Sequence, residues 1–134
     1  MIRSVLLGCA LAAALAASAF TEARAAGNAA AGEKTAAICR ACHQMGPGAK
    51  NAIGPVLNGV VGRKAGTYPG YDYSTANKNS GIVWTPEELD KYLVNPQKVV
   101  PGTKMIFPGL PSQQDRQNVI AYLETLSPDW QKKH

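Results

Sequence analysis

Three residues in the stretch ICRACHQMGPG, 38–48, constrain this chain more than any other feature: Cys39, Cys42 and, directly after it, His43. On a helical turn, positions i and i+3 share a face. Both sulfurs therefore leave the backbone on one side, and an imidazole follows at once. Whatever occupies this corner of the molecule has to be something that two thiols and one imidazole can hold, and the rest of the chain has to enclose it.

Four occupants come into question. A thioredoxin-like redox pair belongs where a strand opens into a helix within a βαβ unit, but the preceding AAAGEKTAAIC is alanine-rich and reads as helix, and strand-like runs are absent. A zinc site needs four nitrogen, sulfur or oxygen ligands, and only His134 at the extreme terminus offers a second imidazole. A plain disulfide accounts for the cysteines and leaves His43 idle. The fourth reading uses all three residues: the thiols form thioether bonds to the two vinyl groups on one side of a porphyrin, and His43 is delivered to the iron. C-x-x-C-H is read as a c-type haem attachment site, and this is the reading we carry forward.

The N-terminus has the features of an export signal, and export supports the haem reading. Arg3 gives a positive start, residues 5–20 are apolar or small without a charge, and Ala23-Arg24-Ala25 places small residues where a signal peptidase reads. Cleavage is expected after Ala25. The apolar run is short for a membrane span, so an uncleaved anchor is the weaker alternative, and stable membrane insertion is not expected. Leu6-Leu7-Gly8-Cys9 resembles a lipidation box, but Cys9 stands too early for an apolar stretch to precede it.

Residues 26–134 then form one small domain, with 127–134 as a short tail; no repeat or second composition regime divides it. A domain of this size buries a modest core, which a large apolar prosthetic group would extend. Of 14 basic and 9 acidic residues, Arg3, Arg24 and Glu22 lie in the signal, leaving 12 and 8 and a net charge of +4. These charges are dispersed, which gives nucleic-acid binding no specific support and suits mild attraction to an acidic protein surface.

A haem with one imidazole raises the matter of the sixth position. Met45 is too close to His43 in sequence to reach the opposite face. Met105 lies in PGTKMIF, 101–107, a loop punctuated by proline and glycine. Methionine usually fills core gaps, but one between Lys104 and Pro108 on such a loop suits that purpose poorly, and Met105 is the expected second axial ligand.

At this point the chain resembles the class I cytochromes c, of the mitochondrial type and its short bacterial relatives. Besides CRACH, the resemblance rests on IGPVLNGVVGRKAG (53–66), YPGYDYSTANKNSGIVW (68–84), YLVNPQKVVPGTKMIF (92–107) and NVIAYL (118–123), in order and at matching separations. It implies an all-α fold, three main helices with short ones and long loops wrapped around a single haem, with His43 and Met105 on opposite sides of the iron. It implies that the Pro55 carbonyl accepts the other histidine N–H, which fixes tautomer and ring orientation. Arg63, Tyr73, Trp84 and Thr103 match residues that hydrogen-bond or screen the haem propionates. Asn77, Tyr92 and Thr103 match the polar set around an internal water near the methionine sulfur. Without the resemblance, Trp84 and Tyr92 would read as core aromatics and Arg63 as a loop charge.

The helix signals agree with that architecture. Thr85-Pro86-Glu87-Glu88 is a capping box with proline at the first helical position, and Pro96 ends the helix near Asn95. Ser112 caps another, with Asp115 in its first turn; Val119, Tyr122, Leu123 and Leu126 share a face, and Ser127-Pro128 stops it. The loops between are long for a small domain, and packing on a haem gives them a reason.

Two departures from the family pattern stand out. Four residues after Gly32, where the family commonly has an aromatic side chain at the crossing of first and last helices, this chain has Ala36; either a neighbour fills the gap or the crossing is looser. Around the exposed haem edge, where the mitochondrial type carries a ring of lysines, Ile38, Ala52, Gln97, Pro111 and Ser112 stand instead, while Lys50, Lys98 and Lys104 remain. Those three are the candidate docking residues, and the weaker positive field predicts less electrostatic steering.

The expected function is a soluble, monomeric one-electron carrier of the bacterial periplasm, not an enzyme, carrying one covalent haem c. A cytochrome bc-type reductase is the expected donor, and a terminal oxidase, photosynthetic reaction centre or other periplasmic reductase the expected acceptor. A small haem peroxidase or ligand sensor is the enzyme-class rival and would need an open sixth position. A disulfide-bearing interaction domain is the third possibility and would bind no haem.

Overall fold

The computed structural model describes residues 26–126. The expected signal segment, 1–25, and the expected tail, 127–134, with Trp130 and His134, lie outside the described residues.

Five helices follow in order: α1 (Ala29–Thr35), α2 (Thr75–Asn79), α3 (Pro86–Val94), α4 (Pro96–Val99) and α5 (Gln113–Thr125). A 3₁₀ segment, Ala36–Ala41, continues directly from α1. Among the described residues the only β-type pairing is an isolated antiparallel bridge between Lys64 and Val83.

Each helix starts where its sequence provides a cap. Asn28, Ser74, Thr85, Asn95 and Ser112 all accept a backbone N–H of the first turn through their side chains, which satisfies one of the donors a helix start leaves orphaned. In α3 only half of the capping box forms. Thr85 accepts the Glu88 N–H at 3.2 Å, while the Glu88 carboxylate turns outward to Lys91 at 2.6 Å. Asn95 ends α3 in extended geometry and caps α4, with Pro96 at the first position of the new helix.

The centre of the architecture is the crossing of α1 and α5. Gly32 is buried there, and a methyl group in its place would run into the Asn118 carbonyl oxygen and the Tyr122 Cβ. Gly27 approaches the Gln117 carbonyl in the same way. The backbone N–H of Asn28 closes the junction by donating to Asn118 Oδ1 at 2.8 Å. Ala36, one helical turn on, is 0% exposed. The small side chain thus leaves no opening, because neighbouring atoms cover it.

α3 packs on α5 through Leu89, Tyr92 and Leu93, which join Val119, Ile120 and Leu123 in one buried cluster. Arg116 of α5 is 8% exposed. Its Nε donates to Asp90 Oδ1 of α3 at 2.9 Å, and its Nη1 donates to the carbonyls of Leu110 and Pro111. Beside it Gly109 makes a close turn (φ 103°) against the end of α3, so that the Leu110 N–H reaches the Leu93 carbonyl at 2.7 Å.

Residues 42–74 hold no α-helix and are fixed by cross-chain backbone bonds instead. Gly54 N–H donates to Cys42, Gly62 N–H to Trp84, Trp84 N–H to Arg63 and Ala65 N–H to Ile82, all within 2.9 Å. These loops and the 99–107 segment form the walls around the cysteine–histidine corner.

Candidate functional site

The corner itself is made by the 3₁₀ segment. Its three-residue period brings positions i and i+3 into register, a closer alignment than the ordinary helical turn expected from sequence. Cys42 and His43 both donate their N–H to the Cys39 carbonyl, at 3.1 and 2.9 Å. Cys39 is half-buried, Cys42 is exposed, and both are free thiols. Burial pushes the Cys39 thiol pKa up, the backbone and Arg40 opposing it, so the group is held protonated near neutral pH. A protonated thiol is the form that can add S–H across a vinyl group.

His43 Nδ1 lies 2.7 Å from the Pro55 carbonyl. A carbonyl oxygen only accepts, so Nδ1 carries the hydrogen and, in the neutral ring, Nε2 presents its lone pair. Burial lowers the His43 pKa, against the Pro55 bond that raises it, which favours the neutral, ligating form. Gly54 lies flat against the ring: a Cβ at this position would stand 2.5 Å from Cε1 and 2.9 Å from Nε2. Sequence reading passed over Gly54; its one signal was the Gly-Pro dipeptide that also contains Pro55.

Met105 is half-buried and packs, like Cys39, against the cluster that contains Trp84 and Tyr92. Its N–H donates to Thr103 Oγ1 at 3.2 Å, and Thr103 Oγ1 lies 3.3 Å from the Tyr92 hydroxyl. The Trp84 and Tyr92 rings are tilted at 50° with centroids 4.6 Å apart. Burial raises the Tyr92 pKa, so this hydroxyl is a neutral hydrogen-bonding group. The side chains of Asn58 and Gln44 hold the turn after His43 by accepting the N–H groups of Gly46 and Lys50.

On another wall Arg63 is 5% exposed. It donates to the carbonyls of Asn58 and Val56 at 3.0 and 3.1 Å, and its guanidinium stacks 4.9 Å from the Tyr68 ring centre. Tyr73 accepts the Tyr68 N–H through its hydroxyl and meets Tyr71 edge-on, while the Tyr71 hydroxyl donates to the Ile53 carbonyl at 2.7 Å. Arg63, Tyr68 and Tyr73 thus form one group, and a buried cation there is suited to an anionic substituent.

The residues fit a covalently held haem. The donor set comprises two thiols one turn apart, an imidazole whose Nδ1 is engaged so that Nε2 keeps its lone pair, and a thioether on the 101–107 loop that packs against the same cluster as Cys39. Asn77 Oδ1 is buried with no hydrogen-bond partner among the described protein atoms, and Asn77 is one of the residues for which the family resemblance implies an internal water near the methionine. Among the described residues no three His, Cys, Asp or Glu side chains group to hold a bare metal ion, and no helix is long and apolar enough to cross a membrane.

The three lysines expected at the docking face are not equivalent. Lys50 and Lys98 are exposed. Lys104 instead turns back to Asp72, donating to its carbonyl at 2.7 Å and its carboxylate at 2.8 Å.

The Cytochrome c family model matches residues 29–127. Cytochrome c2 of Rhodoblastus acidophilus is 54% identical over 107 residues, covering 80% of this chain and all of the relative. Cytochrome c2 of Rhodomicrobium vannielii is 57% identical over 101 residues, 75% of this chain and 81% of the relative. Among solved structures, cytochrome cH from Methylobacterium extorquens is 50% identical with a TM-score of 0.70 over 74% of this chain and 99% of that one. Cytochrome c2 from Rhodospirillum centenum is 41% identical with a TM-score of 0.73 over 76% of this chain and all of the other.

Proposed function

Given that this chain belongs to the cytochrome c family, we propose that Cys39 and Cys42 are its thioether anchors and that His43 and Met105 are the axial ligands of its iron. The protein is a one-electron carrier of a bacterial electron-transfer chain and not an enzyme, and its cofactor is covalently attached haem c. The observation that carries the residue assignment is the His43–Pro55 bond, which leaves Nε2 as a pre-aimed ligand beside the two thiols.

The bound haem supplies a one-electron redox couple; the chain supplies its setting. Histidine with methionine raises the reduction potential relative to harder ligand pairs. The apolar cluster around Met105 and Cys39 adds to this, since a low dielectric disfavours the more positively charged oxidised state. His43 is held at ring nitrogen and ring face, and Met105 at its backbone, so both ligands keep their positions as the charge changes. In this reading Arg63, Tyr73, Trp84 and Thr103 hydrogen-bond or screen the propionates, and Asn77, Tyr92 and Thr103 form the polar set near the Met105 sulfur.

The chain works with other redox proteins, as its relatives' family does. We assign as donor a cytochrome bc-type reductase and as acceptor a terminal oxidase, reaction centre or other periplasmic reductase, met by a soluble monomer in the periplasm after cleavage near Ala25. Lys50 and Lys98 supply the free positive charge of the docking face. Ile38, Ile53 and Ile106 are exposed next to Cys39, Gly54 and Met105, so this face depends more on apolar contact than a lysine-ringed one does.

A redox titration of the matured holoprotein, following the weak far-red absorption of methionine on ferric iron, tests the assignment. A high single-step potential with that band supports it. A missing band, or a low potential that shifts with added ligand, removes Met105 from the iron and favours the peroxidase or sensor.

A further inference from the structure

We propose that Gln97 is a positioning residue for Met105, a clamp that holds the methionine loop closed by binding its backbone. The inference rests on the assignment of Met105 as an axial ligand. The Gln97 Nε2 donates to two carbonyls of that loop, Met105 at 2.9 Å and Thr103 at 3.3 Å. Both partners are carbonyl oxygens, which only accept, so the amide nitrogen and not its oxygen has to face them.

The clamp stands on a rigid base. Gln97 is the second residue of α4, a single turn opened by the buried Pro96, capped by Asn95, and closed by the Val100 N–H to the Pro96 carbonyl at 2.9 Å. Within the loop it grips, 101–107, Met105 is the residue that packs against the buried cluster. Pro101, Gly102 and Lys104 are exposed, and Ile106, next to Met105, is 95% exposed. Segments with few buried apolar contacts open at low free-energy cost, so the polar ties to this loop decide how often it leaves the core. Besides the Thr103 N–H to the Val100 carbonyl, the Met105 N–H to Thr103 Oγ1 and the contact of Thr103 Oγ1 with the Tyr92 hydroxyl, those ties include Gln97 on the α4 side and Lys104 to Asp72 on the other. Sequence reading counted Gln97 only as a lysine lost from the docking face; the geometry gives it a separate task.

Exogenous imidazole can bind the iron only after Met105 has left it, so its apparent affinity includes the loop-opening equilibrium. The test uses ferric holoprotein carrying Gln97→Ala or Gln97→Glu, the second of similar shape but without the amide donor. Imidazole is titrated while the far-red methionine band is followed, and global unfolding is measured separately by far-ultraviolet circular dichroism. Loss of a neutral, partly solvated hydrogen-bond pair predicts about a threefold to tenfold gain in imidazole affinity in both variants, with the unfolding midpoint moving proportionately less. Unchanged imidazole affinity in both, with the band intact, overturns the clamp, as does a gain matched by an equal loss of global stability. Should Gln97→Ala fail to load haem, Gln97→Asn carries the same expectation, its amide being too short to reach both carbonyls. A wild-type holoprotein without the band is a different failure: it strikes the Met105 assignment itself.

Discussion

The Pro55 carbonyl stands 2.7 Å from Nδ1 of His43, and Gly54, the residue before Pro55, lies against the face of the same ring. Two consecutive residues thus fix the tautomer and the plane of the imidazole together. Neither contact involves a side chain that substitution could remove; both come from backbone geometry.

Gly54→Ala tests that arrangement. The added methyl would stand 2.5 Å from Cε1, so the ring has to tilt or the loop to withdraw, an overpacking cost of about 1–3 kcal/mol. The expected outcome is a lower yield of haem-loaded protein and a shifted potential in what does load. A variant with native yield and potential would show that the ring is not held from this side.

At the α1–α5 crossing the effect runs against helix propensity. Alanine at position 32 gains roughly 1 kcal/mol of intrinsic helix preference over glycine. The Asn118 carbonyl lies where its methyl would sit, and backbone cannot rotate away as a side chain can. Gly32→Ala is therefore expected to lower the stability of the holoprotein by at least about 1–3 kcal/mol, read from denaturant unfolding; a stabilised variant would contradict the packing described.

The Arg116–Asp90 pair is the most enclosed ion pair described, with side chains 9% and 18% exposed. Asp90→Ala strands the guanidinium with only the Leu110 and Pro111 carbonyls. Breaking such a pair on one side costs about 3–5 kcal/mol when fully buried; partial exposure places the expectation near the lower figure. Replacing both residues together should cost less than Asp90→Ala alone, which a double-mutant cycle measures.

Asp72 predicts acid sensitivity of the methionine loop. The hydrogen bond from Lys104, then the charges of Lys104 and Lys78, hold its carboxyl below the usual aspartate range. A lowered folded pKa gives a contribution present above the ordinary value, near about pH 4, and lost as pH falls through the lowered one. The far-red band of the wild type should weaken in that acid window, and Asp72→Asn should flatten the response. Because the carboxylate is fully exposed the difference is small and shrinks with added salt. An identical acid profile in both proteins would separate the Lys104 contact from loop closure.

Tyr92 makes the corresponding prediction at alkaline pH. Burial raises its pKa, with the Thr103 bond opposing. Its contribution is complete below the ordinary tyrosine value of about 10 and is lost as pH rises through the raised one. Tyr92→Phe should lower stability near neutrality by roughly 0.5–1.5 kcal/mol for the lost hydroxyl contact, yet lose less than the wild type on going above about pH 10. Unfolding curves at the two pH values decide it.

Much of this was legible in sequence. Caps at Thr85 and Ser112, the stop before Pro96 and the apolar face of α5 are local signals, and the structure has them. The order of motifs carried the family, hence the fold. What sequence could not show depends on distant backbone. The 3₁₀ geometry before Cys42 is one such feature, and no residue from 36 to 41 announces it. The close approach at Gly32 depends on the Asn118 carbonyl and Tyr122 of α5, far along the chain. Gln97 and Lys104 were read as present or absent charges, whereas their work depends on which carbonyls lie beside them. Asp72 stood inside the 68–84 motif without a role of its own.

The α1–α5 crossing also sets an order of events. A chain is made from its N-terminus, and α5 is the last element described. The junction of Gly32 with Asn118 thus cannot close until nearly the whole domain has been synthesised, and contacts this far apart in sequence form slowly. Cys39 and Cys42 emerge early and remain in an open chain through that interval. The half-buried Cys39 therefore gains the cover of the core cluster only with the last helix, whereas Cys42 stands exposed in the folded chain as well.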